Sequence, residues 1–243
     1  MMEIQHVSKK YGKKTALEDV CLSIPRGQII GLFGENGAGK TTFMKAVLDL
    51  IGYQGQIILD AEPITRKNIH KLSFGTCEHS FFPGLDAKEH KEFYAEHFPN
   101  FREKRFFGLM EFFGLPMNEA IKHFSTGQKN QFEVVMALSQ GADYILLDEP
   151  FAGNDIFNRD DFYKVLLGIL EPEETVILST HLIDDVAGFI SRAILIREGR
   201  IVGDALTEEL DEQGVTLMDY IKTTYHHRPD RIMKAVRDIT GEE

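Results

Sequence analysis

The chain has 243 residues, and 27 Lys+Arg against 38 Asp+Glu leave a formal charge of −11. That length suits one large domain or a core carrying a smaller insertion, and the 43% hydrophobic, 27% charged composition excludes a disordered chain. The acidic balance disfavours a broad nucleic-acid footprint, and no apolar run approaches the ~18–20 residues of a membrane-spanning helix. The opening Met1-Met2-Glu3-Ile4-Gln5-His6 lacks the apolar core of a signal peptide. Cys21 and Cys77 lie far apart, which supports neither a disulfide framework nor a thiolate zinc site. The chain reads as cytosolic.

In chain order, residues 16–24 partly alternate like an exposed strand, and Gln28–Phe33 is a continuous apolar run, as for a strand covered on both faces. A glycine-rich turn at residues 34–39 leads into a helical pattern from Thr41 to Leu50. Phe81 to Phe132 offers no buried strand but holds eleven of the 18 phenylalanines. Those rings fill the core of a small helical subdomain, line a groove for a partner helix, or do both. Helical patterns also cover Gln128–Ser139, Ile156–Leu170 and Leu182–Ile190, alternating with buried-strand candidates at 144–147, 175–178 and 193–196. Such interleaving implies a largely parallel sheet covered by helices. The final candidate continues into a hairpin turning at Glu198-Gly199. Beyond Asp204, acidic helical stretches lead to His226-His227-Arg228-Pro229, read as a solvated tail because adjacent histidines do not share a helix face.

Gly34-Glu35-Asn36-Gly37-Ala38-Gly39-Lys40-Thr41 fits G-x-x-x-x-G-K-[ST] between an apolar strand and a helix, the context that a phosphate loop requires. Gly34, Gly37 and Gly39 let the backbone approach phosphate, and the loop N–H groups and the helix N-terminus face the anion. Lys40 is placed for the β- and γ-phosphates and the Thr41 hydroxyl for Mg²⁺, with Thr42 beside them. The strand Tyr144-Ile145-Leu146-Leu147 ends in Asp148-Glu149-Pro150. In a parallel α/β sheet that end lies where ligands bind. Asp148 is placed to hold Mg²⁺, and Glu149 to orient or deprotonate a water.

With these elements the sequence resembles the ATP-binding subunits of ABC transporters over roughly residues 3–205. Phe124-Ser125-Thr126-Gly127-Gln128 is similar to the family's LSGGQ signature, Ser179-Thr180-His181 to its switch histidine, and Gly153-Asn154-Asp155 to its D-loop. Tyr11, in Lys10-Tyr11-Gly12, matches the early aromatic that stacks on adenine; read alone it is equally a packed edge aromatic. The resemblance implies an α/β fold with a P-loop NTPase core, a mainly parallel covered sheet, an antiparallel β subdomain and a helical subdomain. It implies one ATPase domain over residues 1–205, with the helical subdomain inserted at about 78–140, and an acidic helical extension over 206–243. It further implies ATP and Mg²⁺ as cofactors. Ser125, Gly127 and Gln128 would contact ATP held by a facing homodimer or heterodimer partner, and His181 the γ-phosphate. A separate transmembrane permease would hold the chain at the cytoplasmic face of the membrane, with small bacterial exporters of drugs, peptides or ions as the subgroup.

Departures from the pattern accompany the matches. Thr126 replaces a signature glycine, and Asn154 stands where the D-loop usually has an apolar residue. Anchoring on Phe82-Pro83-Gly84-Leu85 puts the Q-loop glutamine at Cys77 or Glu78, neither of them glutamine; Glu78 offers a carboxylate to Mg²⁺. The competing classes are a soluble ABC ATPase of DNA repair or translation and a small-molecule kinase. The first usually adds a coiled coil, zinc cysteines or a second ATPase unit. The second has no need of Ser125, Gly127 or His181.

Overall fold

A computed structural model describes residues 1–76, 78, 81–150 and 159–225. The central sheet has six strands in the order β10-β9-β3-β8-β7-β6. These are β3 (Ile29–Phe33), β6 (Leu72–Thr76), β7 (Tyr144–Asp148), β8 (Thr175–Ser179), β9 (Arg192–Arg197) and β10 (Arg200–Leu206). All neighbours are parallel except β9 and β10, joined as an antiparallel hairpin whose turn residues Glu198 and Gly199 have φ of 51° and 80°. Two successive positive φ angles give the mirror-image turn that matches strand twist, as expected at this dipeptide.

The continuous apolar runs follow from burial on both faces. Ile145, Leu147, Val176, Leu178, Ala193 and Leu195 face a core shared with the helices α3 (Glu103–Phe112), α4 (Thr126–Ser139) and α5 (Arg159–Ile169). Tyr144, Leu146, Ile177, Ile194 and Ile196, alternating with them, face a second core closed by α1 (Lys40–Val47) and an antiparallel sheet. That sheet has the order β2-β1-β4-β5, with β1 (Met2–Tyr11), β2 (Lys14–Ile24), β4 (Gln54–Leu59) and β5 (Glu62–Pro63).

Among the described residues Phe81 to Phe132 holds no strand; its long helices are α2 (Ala87–His97), α3 and the start of α4. Phe106 and Phe132 are fully buried in the helical core, whereas Phe82, Phe93, Phe107 and Phe112 remain exposed. The helix expected over 182–190 is shorter: α6 spans Ile183–Val186, and the chain turns back at Phe189 and Ile190 onto the Val186 carbonyl. Gly188 weakens the continuation there. The first helix likewise ends at Val47 rather than Leu50. After β10, α7 (Thr207–Glu212) and α8 (Leu217–Thr224) bury Leu210, Leu217 and Ile221 in the helical core, so this part of the acidic extension is docked. The histidine pair at 226–227 lies outside the described residues.

Candidate functional site

The carboxyl ends of β3, β7 and β8 converge, as the crossover order of a parallel sheet dictates. After β3 the chain makes the tight loop 34–39 and enters α1 through Gly39, whose φ is 116°. A side chain at Gly39 would sit 2.6 Å from the Ala16 carbonyl, so the loop is pressed against β2 where only glycine fits. Lys40, 7% exposed, donates to the Gly34 carbonyl at 2.8 Å. Its ammonium is 3.9 Å from Oε1 of Glu149.

Asp148 ends β7 opposite Ser179, the last residue of β8. Its carboxylate accepts from the Thr41 hydroxyl at 2.6 Å and from the Ser179 hydroxyl. Two hydroxyls from separate elements thereby fix both oxygens. Glu149 follows with φ of 49°, a left-handed conformation that non-glycine residues seldom adopt. Its N–H donates to the Ser179 carbonyl and hydroxyl, both at 3.1 Å. Its Oε2 lies 3.0 Å from Nδ1 of His181, itself mostly solvent-exposed. One carboxylate thus stands between an ammonium and an imidazole.

These groups border a cleft of about 310 Å³ lined by Tyr11, Lys14, Ala16, Asn36, Gly37, Gly39, Lys40, Thr41, Thr42, Asp148 and Glu149. Tyr11 is 49% exposed at the tip of the β1–β2 hairpin, with the Lys9 ammonium over its ring, 4.9 Å from the centroid. Glu35 and Ala38 border a smaller recess behind the loop, with Arg197, Glu198 and Tyr225.

The remaining sequence candidates sit elsewhere. Ser125 caps α4: its hydroxyl accepts from the Gln128 N–H, and the Gln128 side chain accepts from the Ser125 N–H. Ser125 and Thr126 are exposed, and no residue of 125–128 lines the cleft. Thr126 occupies the first helical turn, where a β-branched side chain pointing to solvent is accommodated. Glu78 also stays off the cleft, its two oxygens 2.7 and 2.8 Å from the Lys45 ammonium. Lys45 lies one turn along α1 from Thr41, so this pair borders the site without entering it. Cys77 and the D-loop candidates 153–155 fall outside the described residues.

Three contributors went unassigned in the sequence. Ser179 was visible in the Ser-Thr-His run, but its bond to Asp148 depends on β7 and β8 being neighbours. Lys14 sits among other lysines with no motif to mark it. The Tyr225 hydroxyl donates to the Phe33 and Ile196 carbonyls at 3.0 and 3.2 Å, tying the end of α8 to the base of the phosphate loop. Burial pushes that phenol up to about 12.

Comparison with known proteins agrees with this geometry. The ABC transporter family model matches residues 17–152, more than half of the chain. The SkfA peptide export ATP-binding protein SkfE of Bacillus subtilis is 30% identical over 221 residues, covering 88% of this chain and 92% of that protein. The ABC transporter ATP-binding protein NatA of the same organism is 28% identical, covering 87% and 92%. Among solved structures, the ATP-binding subunit of an ABC transporter superposes with a TM-score of 0.82 at 21% identity, covering 93% of this chain and 99% of that one. A dimeric ATP-binding cassette in a post-hydrolysis state gives 0.74 at 22% identity, covering 85% and 99%. The α/β cassette fold, the phosphate loop and the carboxylate pair therefore converge on one conclusion: the chain belongs to the ABC transporter family, as one of its ATP-binding, ATP-hydrolysing subunits.

Proposed function

We propose that this cassette pairs with a second cassette around Mg-ATP and drives a separate membrane permease. The observation that carries this reading is the split of the candidate groups. Lys40, Thr41, Asp148, Glu149 and Tyr11 border one cleft, while Ser125, Gly127 and Gln128 open a helix outside it. A helix N-terminus with an exposed serine hydroxyl is an anion site looking for an anion. Another protomer's triphosphate supplies one, and the two chains then complete each other's sites.

Within the cleft, Tyr11 stacks on the base, and Gly34 to Thr42 cradle the phosphates with Lys40 on the β and γ groups. Thr41 and Asp148 fit Mg²⁺: both are hard oxygen donors, already 2.6 Å apart on one side of the loop. A metal ion held there would supply positive charge against the phosphate oxygens. Glu78 belongs to the same shell only if it exchanges Lys45 for the ion. Glu149 accepts the proton of the attacking water, and the His181 Nδ1–H, bonded to its other oxygen, holds the carboxylate in place.

Among the described residues no helix is long and apolar enough to cross a membrane, which fits attachment through a permease at the cytoplasmic face. Phe82, Phe93, Phe107 and Phe112, exposed on the helical lobe, suit an apolar contact with it. The relatives include a peptide export protein and the lantibiotic transport ATP-binding protein SrtF of Streptococcus pyogenes, which supports an exporter of small peptides or drugs. The test is the mass of Glu149→Gln with Mg-ATP by light scattering. Doubling on nucleotide addition, reversed by Ser125→Arg, supports the sandwich. A monomer at saturating Mg-ATP, alone and with the copurified permease complex, overturns it.

A further inference from the structure

On the far side of the molecule's antiparallel sheet, three side chains that no part of the ATPase uses come together. His6 lies on β1, and Asp19 and Cys21 lie on β2; one ring nitrogen, one carboxylate oxygen and the sulfur lie within 4.8 Å of one another. The geometry points to a separate site on this chain for a thiophilic divalent cation of the zinc type, held by His6, Asp19 and Cys21.

Paired irregularities in the two strands build the site. Ile4 and Val7 are buried with Gln5 and His6 between them, and Leu17 and Val20 are buried with Glu18 and Asp19 between them. Each strand thus carries one residue more than strict alternation allows, and the register shifts between Ile4 and Val7 and between Val7 and Lys9. The extra residues take left-handed backbone, φ 53° at His6 and 52° at Asp19. Gly55 on β4 permits this, since a side chain there would lie 2.3 Å from the His6 carbonyl. Unfavourable backbone at two facing non-glycine positions is the kind of outlier found at ligand sites. Its effect is to aim His6 and Asp19 at the outward-facing Cys21.

The contacts suit a metal rather than a nucleophile. In a nucleophilic relay the thiol and the carboxylate would occupy opposite nitrogens of the imidazole. Here both face Nδ1, the carboxylate at 2.8 Å and the sulfur at 3.6 Å. Bonds of ~2.0–2.3 Å around tetrahedral zinc set ligand atoms roughly 3.3–3.6 Å apart. The Nδ1–Sγ separation already matches, and the exposed Asp19 carboxylate would lengthen its 2.8 Å contact with Nδ1 to reach that range. The His6 N–H donates to Sγ at 3.2 Å, the outer contact that stabilises a ligating thiolate. The Asp19 N–H is fixed by the Ser8 hydroxyl at 2.9 Å. One thiolate, one imidazole and one carboxylate exclude Mg²⁺ and Ca²⁺, which take oxygen shells, and leave a fourth position to water. The sequence conceals the site because His6 and Cys21 meet only through the antiparallel pairing of β1 with β2.

Titration of nucleotide-free protein with Co²⁺ tests the assignment through its thiolate-to-cobalt charge-transfer absorption. The band should saturate at one equivalent, disappear on Zn²⁺ addition, and be lost in Cys21→Ser. His6→Asn and Asp19→Asn, chosen because asparagine tolerates left-handed backbone, should each weaken binding at least about tenfold. Cys21 lies outside the ATP cleft, so unchanged basal ATPase activity of Cys21→Ser shows that the variant is folded. Absence of the band in wild type overturns the proposal. So does a band that survives Cys21→Ser, which belongs to Cys77, or one whose affinity is unaltered in both asparagine variants, which is a bare thiol.

Discussion

Asp148 at the end of the central sheet and His90 in the phenylalanine-rich lobe are both buried polar side chains, held for different ends. Asp148 borders the open cleft, and its partners are hydroxyls from two other elements. His90 is enclosed by the rings of Phe81, Phe82 and Phe132. Its Nδ1 donates to the Asp86 carbonyl at 2.7 Å, and its Nε2 accepts the Phe82 N–H at 3.2 Å, which saturates the neutral ring. Contacts around the cleft can be exchanged for those of a ligand; contacts in the lobe have nothing to exchange for. Substitutions at the first place should therefore cost activity, and at the second, stability.

The largest expected effect tests the cleft. Glu149→Gln should lower ATP turnover by about 10²–10⁴-fold, the loss of a general base, with an unfolding midpoint close to wild type. Equal steady-state turnover would remove Glu149 from the chemistry. Lys40→Ala should weaken ATP by about 2–5 kcal/mol, the range for truncating one partner of a buried charge pair, as read by nucleotide titration.

Next comes the junction between lobe and core. Arg105 of α3 holds both oxygens of Glu174 at 2.9 Å and donates to the Leu138 and Ile169 carbonyls. Glu174 is only 5% exposed, so Arg105→Met takes two charged hydrogen bonds from a buried carboxylate and should cost about 3 kcal/mol in urea unfolding. The Arg102 guanidinium, 3.3 Å from the same carboxylate, keeps the loss at the low end.

Acid should act through His90, because burial pushes its imidazole below the ordinary value despite the bond to the Asp86 carbonyl. As pH falls through ~6.5 the unfolded chain takes the proton first, so stability drops until the lower folded value is passed. The slope is at most about 1.4 kcal/mol per pH unit. His90→Phe should flatten that part of a urea-midpoint profile. The smallest effects compare two equivalent caps, Asp86 on α2 and Ser125 on α4, each in a reciprocal capping box. Either alanine variant should cost ~0.5–2 kcal/mol, yet only Ser125→Ala should impair ATP-driven pairing.

The legible parts of this protein were contiguous ones. The phosphate loop, the Asp148-Glu149 pair and the doubly covered strands each state their chemistry within a few residues. The strands β1, β4 and β6 were harder to read. A bulge breaks the alternation of β1, glycine opens β4 at Gly55, and Leu72-Ser73-Phe74-Gly75-Thr76 is too small and polar to resemble a core strand. The Leu182–Ile190 periodicity overstated a helix that stops after one turn.

By itself the sequence determined the covered parallel sheet and the glycine-rich loop and acidic groups at its end, because local backbone geometry and side-chain alternation are written residue by residue. Only the tertiary structure decided that Lys45 takes Glu78, that Ser179 holds Asp148, which phenylalanines stay exposed, and that His6 meets Cys21. Each of those pairings joins residues distant in the chain, and the partner is set by which strands and helices come to lie side by side.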